Sequence, residues 1–172
     1  IARIDQDDIF LKEKLKVQYN FLKNNSDICI VGTWATIINS NDRIIKRMSS
    51  PTCNNKMVNT LLNSSPLFHP SIVIRKDALT KMGSYCEKYE FAEDYHLWCK
   101  LILSGYKIAN IPDHLLMYRV HCAQSSSKNS SIQFNNAITI RNNFFSGINK
   151  DLFSSNRKIL NDFNIKELSE IA

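Results

Sequence analysis

The sequence predicts an α/β fold, a mixed β-sheet flanked by helices. Three observations carry this expectation. The chain opens on the largely apolar stretch Ile1-Ala2-Arg3-Ile4, which runs into Asp5, Asp7 and Asp8. That is the pattern of a buried strand whose C-terminal end opens into a loop. Ile28–Ile38 is a long, β-branched run that favours strand over helix. Segments with apolar residues at helical spacing alternate with such runs. There is no internal repeat.

The elements follow in chain order. Leu11, Leu15, Tyr19 and Leu22 fall at helical spacing among lysines and predict an amphipathic helix ended by Asn24-Asn25-Ser26. After the Ile28–Ile38 strand, Asn39-Ser40-Asn41-Asp42 is turn chemistry, and Ile44-Ile45 returns as a short hairpin partner. Met57, Val58, Leu61 and Leu62 predict a second helix over Asn54 to Asn63. Pro66 to Arg75 begins as a constrained loop and ends as a strand. Asp77 can cap a short helix through Met82, with Gly83 just past its end. Tyr85 to Phe91 reads as an aromatic loop. Ala92-Glu93-Asp94 then opens a helix with Leu97, Trp98, Leu101 and Ile102 inward, stopped by Gly105. Tyr106–Ile111 is a strand, Pro112 and Asp113 break it, and Leu115–His121 is another. Gln124 to Ser131 is serine-rich, polar and expected to be mobile. Amphipathic stretches around Ile132–Phe145 and Ile159–Ile171 close the chain as a helical tail.

Length and composition narrow the class. The 172 residues suffice for one domain with a real core, and 44% apolar with 22% charged residues is ordinary for a globular protein. No apolar run has transmembrane length, and no signal peptide is recognisable. The chain begins inside an apparent strand at Ile1, so it reads as the C-terminal part of a longer protein. The five cysteines (Cys29, Cys53, Cys86, Cys99, Cys122) have no zinc spacing and no C-x-x-C, which fits reduced thiols in a cytoplasmic protein. The net charge of +6 favours an anionic partner, but the basic residues are scattered and form no nucleic-acid patch.

Two acidic points carry the candidate chemistry. Asp5 and Asp7 sit two apart, so an extended backbone points them the same way. Neighbouring carboxylates resist joint ionisation, and a hard cation removes the conflict. The pair therefore suits Mg²⁺ or Mn²⁺ with a phosphate-bearing ligand beyond it. Acid clusters at strand ends also serve as turns, and Asp8 can simply cap the next helix. Glu93 and Asp94 stand at a helix start, where the dipole stabilises negative charge. They are either plain helix-start acids or, for Asp94, a general base within reach of a substrate hydroxyl. Arg119 and His121 end a strand on one side and suit a diphosphate and a metal, although a lone histidine is more often structural. His69 reads as a packed or hydrogen-bonding residue, and His96 and His114 have no evident role.

The order Arg3-Ile4-Asp5-Gln6-Asp7-Asp8, Phe68-His69-Pro70-Ser71, Ala92-Glu93-Asp94-Tyr95-His96-Leu97-Trp98 and Tyr118-Arg119-Val120-His121 resembles the C-terminal two-thirds of a family 2 glycosyltransferase. These are inverting enzymes of the GT-A fold, common in bacterial polysaccharide and lipopolysaccharide synthesis. The resemblance covers Ile1 to about Gln124, so residues 1–124 are expected to be part of a GT-A domain and 125–172 a polar linker and helical tail. It implies that the nucleotide-binding half of the family precedes Ile1. Asp5-Gln6-Asp7 matches the D-x-D motif, with the first acid near the ribose and the last on the metal that bridges two phosphates. Asp94 matches the acid that takes the acceptor proton, supported by Glu93. His121 matches a position that helps hold metal or diphosphate.

The resemblance implies a nucleoside-diphosphate sugar donor, a saccharide or lipid-linked acceptor, and Mn²⁺ or Mg²⁺ as cofactor. The implied setting is cytoplasmic, with peripheral contact at the inner face of the plasma membrane; oligomeric state is not readable. Two other classes stay open: a non-catalytic glycosyltransferase-like binding module, and a metal-dependent phosphohydrolase using the same acids.

Overall fold

The computed structural model describes residues 1–121 and 129–153. The segment 122–128, with Cys122 and most of the serine-rich stretch, and the second amphipathic stretch at 159–171 lie outside the described residues.

The spine is β2 (Ile28–Ile38), buried along almost its whole length. Near-continuous burial is what a strand covered on both faces requires. β5 (Lys107–Arg119) runs parallel to it, with Val31 opposite Ala109 and Ile38 opposite Arg119. Two strands pair antiparallel with β2: β3 (Ile44–Met48) along its C-terminal half and β4 (Val73–Ile74) along its N-terminal half. β1 (Ile9–Phe10) is antiparallel to β5. The sheet is therefore mixed, as predicted.

Alternation along the strands divides the core. Ile30 and Ile108 face a large cluster built with α2 (Asn54–Leu61), α3 (Lys76–Lys81) and α4 (Glu93–Leu103), in which Met57, Leu61, Trp98 and Leu101 are fully buried. Val31, Ala109 and Ile111 face the other way, against Leu22, Val17 and Phe21 of α1 (Lys14–Asn24). α5 (Ser130–Phe153) drives Ile140, Phe144 and Ile148 into the large cluster, so the first part of the predicted tail shares the main core.

Three sequence expectations are corrected. The opening stretch is not a buried strand: Ile1 and Ile4 are 56% and 62% exposed. Only Ala2 bridges to Val73, and the two-residue β1 forms just beyond the acids. The buried stripe of α1 is Lys14, Gln18 and Leu22, while Leu11, Leu15 and Tyr19 face outward. Polar contacts set this rotation: the Gln18 amide donates to the carbonyls of Val31 (3.0 Å) and Ser71 (2.8 Å), and the Lys14 ammonium lies 3.9 Å from the Phe10 ring centroid. Pro112 and Asp113 do not end a strand. β5 passes through them by a bulge, where Thr33 opposes Ile111 but Trp34 opposes His114. A bulge lets proline sit in a strand without a ladder hydrogen bond.

Gly32 sets one close approach that the site depends on. A Cβ there would meet Asn110 Oδ1 at 2.3 Å and Leu67 Cδ2 at 2.7 Å. The gap lets the Ser71 hydroxyl accept from the Thr33 N–H (3.1 Å) and fixes the short 3₁₀ turn His69–Ser71 against the sheet.

Candidate active site

The Asp5–Asp8 loop lies at the C-terminal end of β5, the position where open α/β sheets bind ligands. The Arg119 main-chain N–H donates to Asp8 Oδ1 at 2.9 Å. Its side chain donates to the carbonyls of Asp7 (2.7 Å) and Asn39 (2.9 Å) and pairs with Asp42 (2.7 Å). Arg119 thus ties the acidic loop and the β2–β3 turn to the end of β5. It is not among the residues that line the cleft described below. His121 Nε2 lies 2.7 Å from Asp7 Oδ2, joining residues 114 apart in sequence. Asp5 pairs with Arg3 at 2.9 Å. Asp8 keeps a buried Oδ2 with no hydrogen-bond partner among the described residues. Burial first, then the Asp5 and Asp7 charges, push its pKa up to about 6 against the pull of the Arg119 N–H.

The second acidic point is the first turn of α4. The Tyr95 N–H donates to Asp94 Oδ1 at 2.7 Å. Desolvation raises the Asp94 pKa to about 6, with Glu93 adding to the rise and the Tyr95 hydrogen bond and Arg3 opposing it. The residue three before it is unusual: Phe91 has φ of 64°, a left-handed conformation that bulky side chains rarely adopt. α5 secures that turn. The Gln133 amide donates to the Phe91 carbonyl (2.8 Å) and the Asn136 amide to the Glu90 carbonyl (2.9 Å). Beside it His69 shares a 2.9 Å hydrogen bond with the Tyr85 hydroxyl and meets Trp98 edge-on. Burial, then the nearby Arg3 charge, lowers the His69 pKa to about 4, so the ring is neutral near pH 7. His96 stacks on Tyr89, and His114 packs on Trp34 and the Ala35 carbonyl.

The two points meet. One cleft of about 780 Å³ is lined by Asp5, Asp7, Asp8 and His121 together with Glu93 and Asp94. The Tyr118 phenol, on the cleft wall, is pushed up by burial and by the charges of Asp8, Asp5, Asp94 and Asp7 together.

Sequence reasoning missed Arg3, Tyr118 and Gln133, all of which line the cleft. Arg3 stood in the quoted motif and, as a cation beside acids, carried a readable signal. Gln133 carried none, because only the docking of α5 brings it there. Among the described residues, no three His, Cys, Asp or Glu side chains are grouped so as to hold a metal ion. Asp7 and His121 form a pair, and the expected third ligand, Asp5, is engaged by Arg3.

Comparison with known proteins finds glycosyltransferases. The chain is 34% identical over 137 residues to the O-antigen biosynthesis glycosyltransferase WbnJ of Escherichia coli, covering 78% of this chain and 52% of that protein. It is 31% identical over 120 residues to the amylovoran biosynthesis glycosyltransferase AmsE of Erwinia amylovora, covering 69% and 44%. It is 30% identical over 122 residues to an Escherichia coli protein named UDP-Gal:alpha-D-GlcNAc-diphosphoundecaprenol beta-1,3-galactosyltransferase, covering 69% and 43%. The chain spans about half the length of the curated relatives it matches. The family model described as "Glycosyltransferase like family 2" matches residues 1–160. With its GT-A-like mixed sheet flanked by helices, the chain belongs to the family 2-like glycosyltransferases.

Proposed function

We propose that this chain carries the metal-binding and proton-accepting part of an inverting glycosyltransferase. The reaction moves a sugar from a nucleoside diphosphate to an acceptor hydroxyl in cell-surface polysaccharide or lipopolysaccharide synthesis. The observation that carries the reading is the single cleft shared by the Asp7–His121 pair and Asp94. Relatives named for O-antigen and amylovoran synthesis support the polysaccharide context. A relative named for a diphosphoundecaprenol-linked substrate supports a lipid-linked acceptor. No described helix is long and apolar enough to cross a membrane.

The donor set fits a divalent ion completed by substrate. Mg²⁺ and similar hard cations bind through one or two carboxylates plus substrate phosphates. Asp7 and His121 would hold Mn²⁺ or Mg²⁺, and the orphaned Asp8 Oδ2 beside them is the kind of oxygen a cation satisfies. The bound ion would supply Lewis-acid neutralisation of the leaving diphosphate.

The remaining work belongs to side chains. Asp94, with a pKa near 6, is mostly ionised at pH 7 yet still a competent proton acceptor. It takes the proton of the acceptor hydroxyl as that oxygen attacks the anomeric carbon from the face opposite the departing diphosphate. Glu93 helps keep the Asp94 pKa up. Arg119 and His121 hold the Asp7 loop in register, and Gln133 holds the Phe91 turn that precedes Asp94.

The test is a set of α-linked nucleotide sugars offered to the full-length protein with Mn²⁺ and an acceptor, with the product read by anomeric coupling in NMR. Formation of β-linked product with release of nucleoside diphosphate is expected. An α-linked product would overturn inversion. Stoichiometric donor breakdown that ignores the acceptor would favour a phosphohydrolase.

A further inference from the structure

His69 has no part in the proton and metal chemistry described above, yet it lines the same cleft. Its place is fixed from several sides. Ser71 anchors the 3₁₀ turn that carries it: the Ser71 hydroxyl accepts from the Thr33 N–H (3.1 Å) and its carbonyl from the Gln18 amide (2.8 Å). The Arg3 N–H donates to the Ile72 carbonyl (3.2 Å), which ties the segment leading to Asp5 and Asp7 to this turn. The His69 ring also meets Trp98 edge-on, with 5.9 Å between centroids. Trp98 stands one helical turn beyond Asp94 on α4. His69 thus sits where the Asp5–Asp7 segment and the helix that carries Asp94 come together.

The ring has one hydrogen to offer a ligand. Burial pushes the Tyr85 phenol up to about 12, with Arg3 opposing and Asp94, Glu93 and Asp5 adding, so Tyr85 keeps its proton. Its hydroxyl lies 2.9 Å from His69 Nε2 and has no other hydrogen-bond partner among the described residues. A phenol O–H is a strong donor and Nε2 is the acceptor beside it, so Nε2 accepts. In a neutral imidazole the hydrogen then sits on Nδ1. Nδ1 has no partner among the described residues, and the Tyr85 and Trp98 rings hold the imidazole in place. A fixed, uncharged N–H suits an uncharged oxygen, whereas a phosphate is better met by a cation.

We propose that His69 is a specificity-determining residue whose Nδ1–H donates to one uncharged oxygen, a hydroxyl or an acyl carbonyl, of the sugar being transferred. The inference rests on the glycosyltransferase reading and deepens it. In that reading the sugar lies between the diphosphate at Asp7 and the acceptor hydroxyl at Asp94, and His69 forms the wall where those two parts join. Tyr85 is a positioning residue, which keeps the hydrogen on Nδ1. A donor sugar without the matching oxygen leaves that N–H unpaired, which is how a hydrogen-bonding site rejects an analogue.

The test follows the histidine ring signals of the ¹⁵N-labelled full-length protein, at rest and with nucleotides and Mn²⁺. The probes are UDP, GDP, UDP-glucose, UDP-galactose, UDP-N-acetylglucosamine and GDP-mannose. At rest the ring whose signals H69N removes should carry its hydrogen on Nδ1, and Y85F should release part of it to Nε2. At least one nucleotide sugar should shift the Nδ1–H signal further than its nucleotide alone. Calorimetry then compares that donor with its monodeoxy analogues. One of them should bind wild type about two- to tenfold more weakly, the range for a neutral hydrogen bond. H69Q should bind that analogue and the parent alike. H69N, whose amide nitrogen can stand near Nδ1, should keep part of the difference, and Y85F, which leaves the imidazole in place, should reduce it. A resting ring with its hydrogen on Nε2 overturns the proposal. So does an equal shift by the nucleotide alone, or the same analogue profile in wild type and H69Q. Failure of every nucleotide to bind overturns the donor reading and this proposal with it. Normal nucleotide binding with an unchanged profile in H69Q overturns this proposal alone.

Discussion

Replacing Asp94 by Asn separates catalysis from stability in one residue. Burial holds the Asp94 pKa at about 6, against the ordinary 3.8 of an aspartate. At about 1.4 kcal/mol for each tenfold change in proton affinity, folding loses about 3 kcal/mol when this carboxylate ionises. The sign follows from linkage: a raised acid pKa favours the folded state fully below 3.8, and that benefit is gone once the pH rises through about 6. Asn carries no charge to desolvate, and its Oδ1 can still accept the Tyr95 N–H. D94N should therefore be more stable than wild type by about 2–3 kcal/mol at pH 7.5, a rise in Tm of about 4–12 °C for a chain of this size. The advantage should shrink toward zero near pH 4. Turnover should meanwhile fall by about 10²–10⁴, the range for a lost general base. Urea unfolding of both full-length proteins from pH 4 to 8 reads the difference, which cancels the contribution of Asp8 and every other shared group. A variant less stable at pH 7.5, or an advantage that does not change with pH, would refute the desolvation reasoning.

Three further substitutions probe the scaffold. R119A removes the contacts to Asp7, Asn39 and Asp42, and should lower stability by about 1.5–3 kcal/mol in urea unfolding. R119K should not restore it, because an ammonium cannot reach three acceptors as a fork does. Q133A releases the Phe91 carbonyl, and steady-state kinetics should show kcat down by about tenfold with donor KM unchanged, the signature of a misplaced base. G32A drives a Cβ into Asn110 and Leu67 and should cost about 1–3 kcal/mol in the same unfolding assay.

Parts of the fold were readable because one local signal dominated. The β-branched run of β2 and the apolar face of α4 leave little choice of element. α1 was misread because Leu11, Leu15 and Tyr19 imitate an inward stripe, while the buried positions belong to Lys14 and Gln18, whose partners come from other strands and turns. Pro112 looked like a strand end because a bulge depends on the neighbouring strand. The acids of the site were visible, since carboxylates packed closely at an element boundary demand an explanation. Their convergence was implied by the family resemblance alone and by no local signal, because 114 residues separate Asp7 from His121. The Arg119 contacts to the Asp7 and Asn39 carbonyls and to Asp42 depend on tertiary neighbours that strand-side reasoning does not include.

The central claim is that two acids of one cleft divide the work, Asp7 for the metal-bound diphosphate and Asp94 for the acceptor proton. Isothermal titration of wild type, D7N and D94N with UDP, GDP and dTDP in the presence of Mn²⁺, paired with turnover of the same preparations, tests it directly. D7N should lose metal-dependent nucleotide affinity by at least about tenfold, while D94N binds as wild type does and fails to transfer sugar. Equal loss of affinity in both variants, or undiminished transfer by D94N, would contradict it.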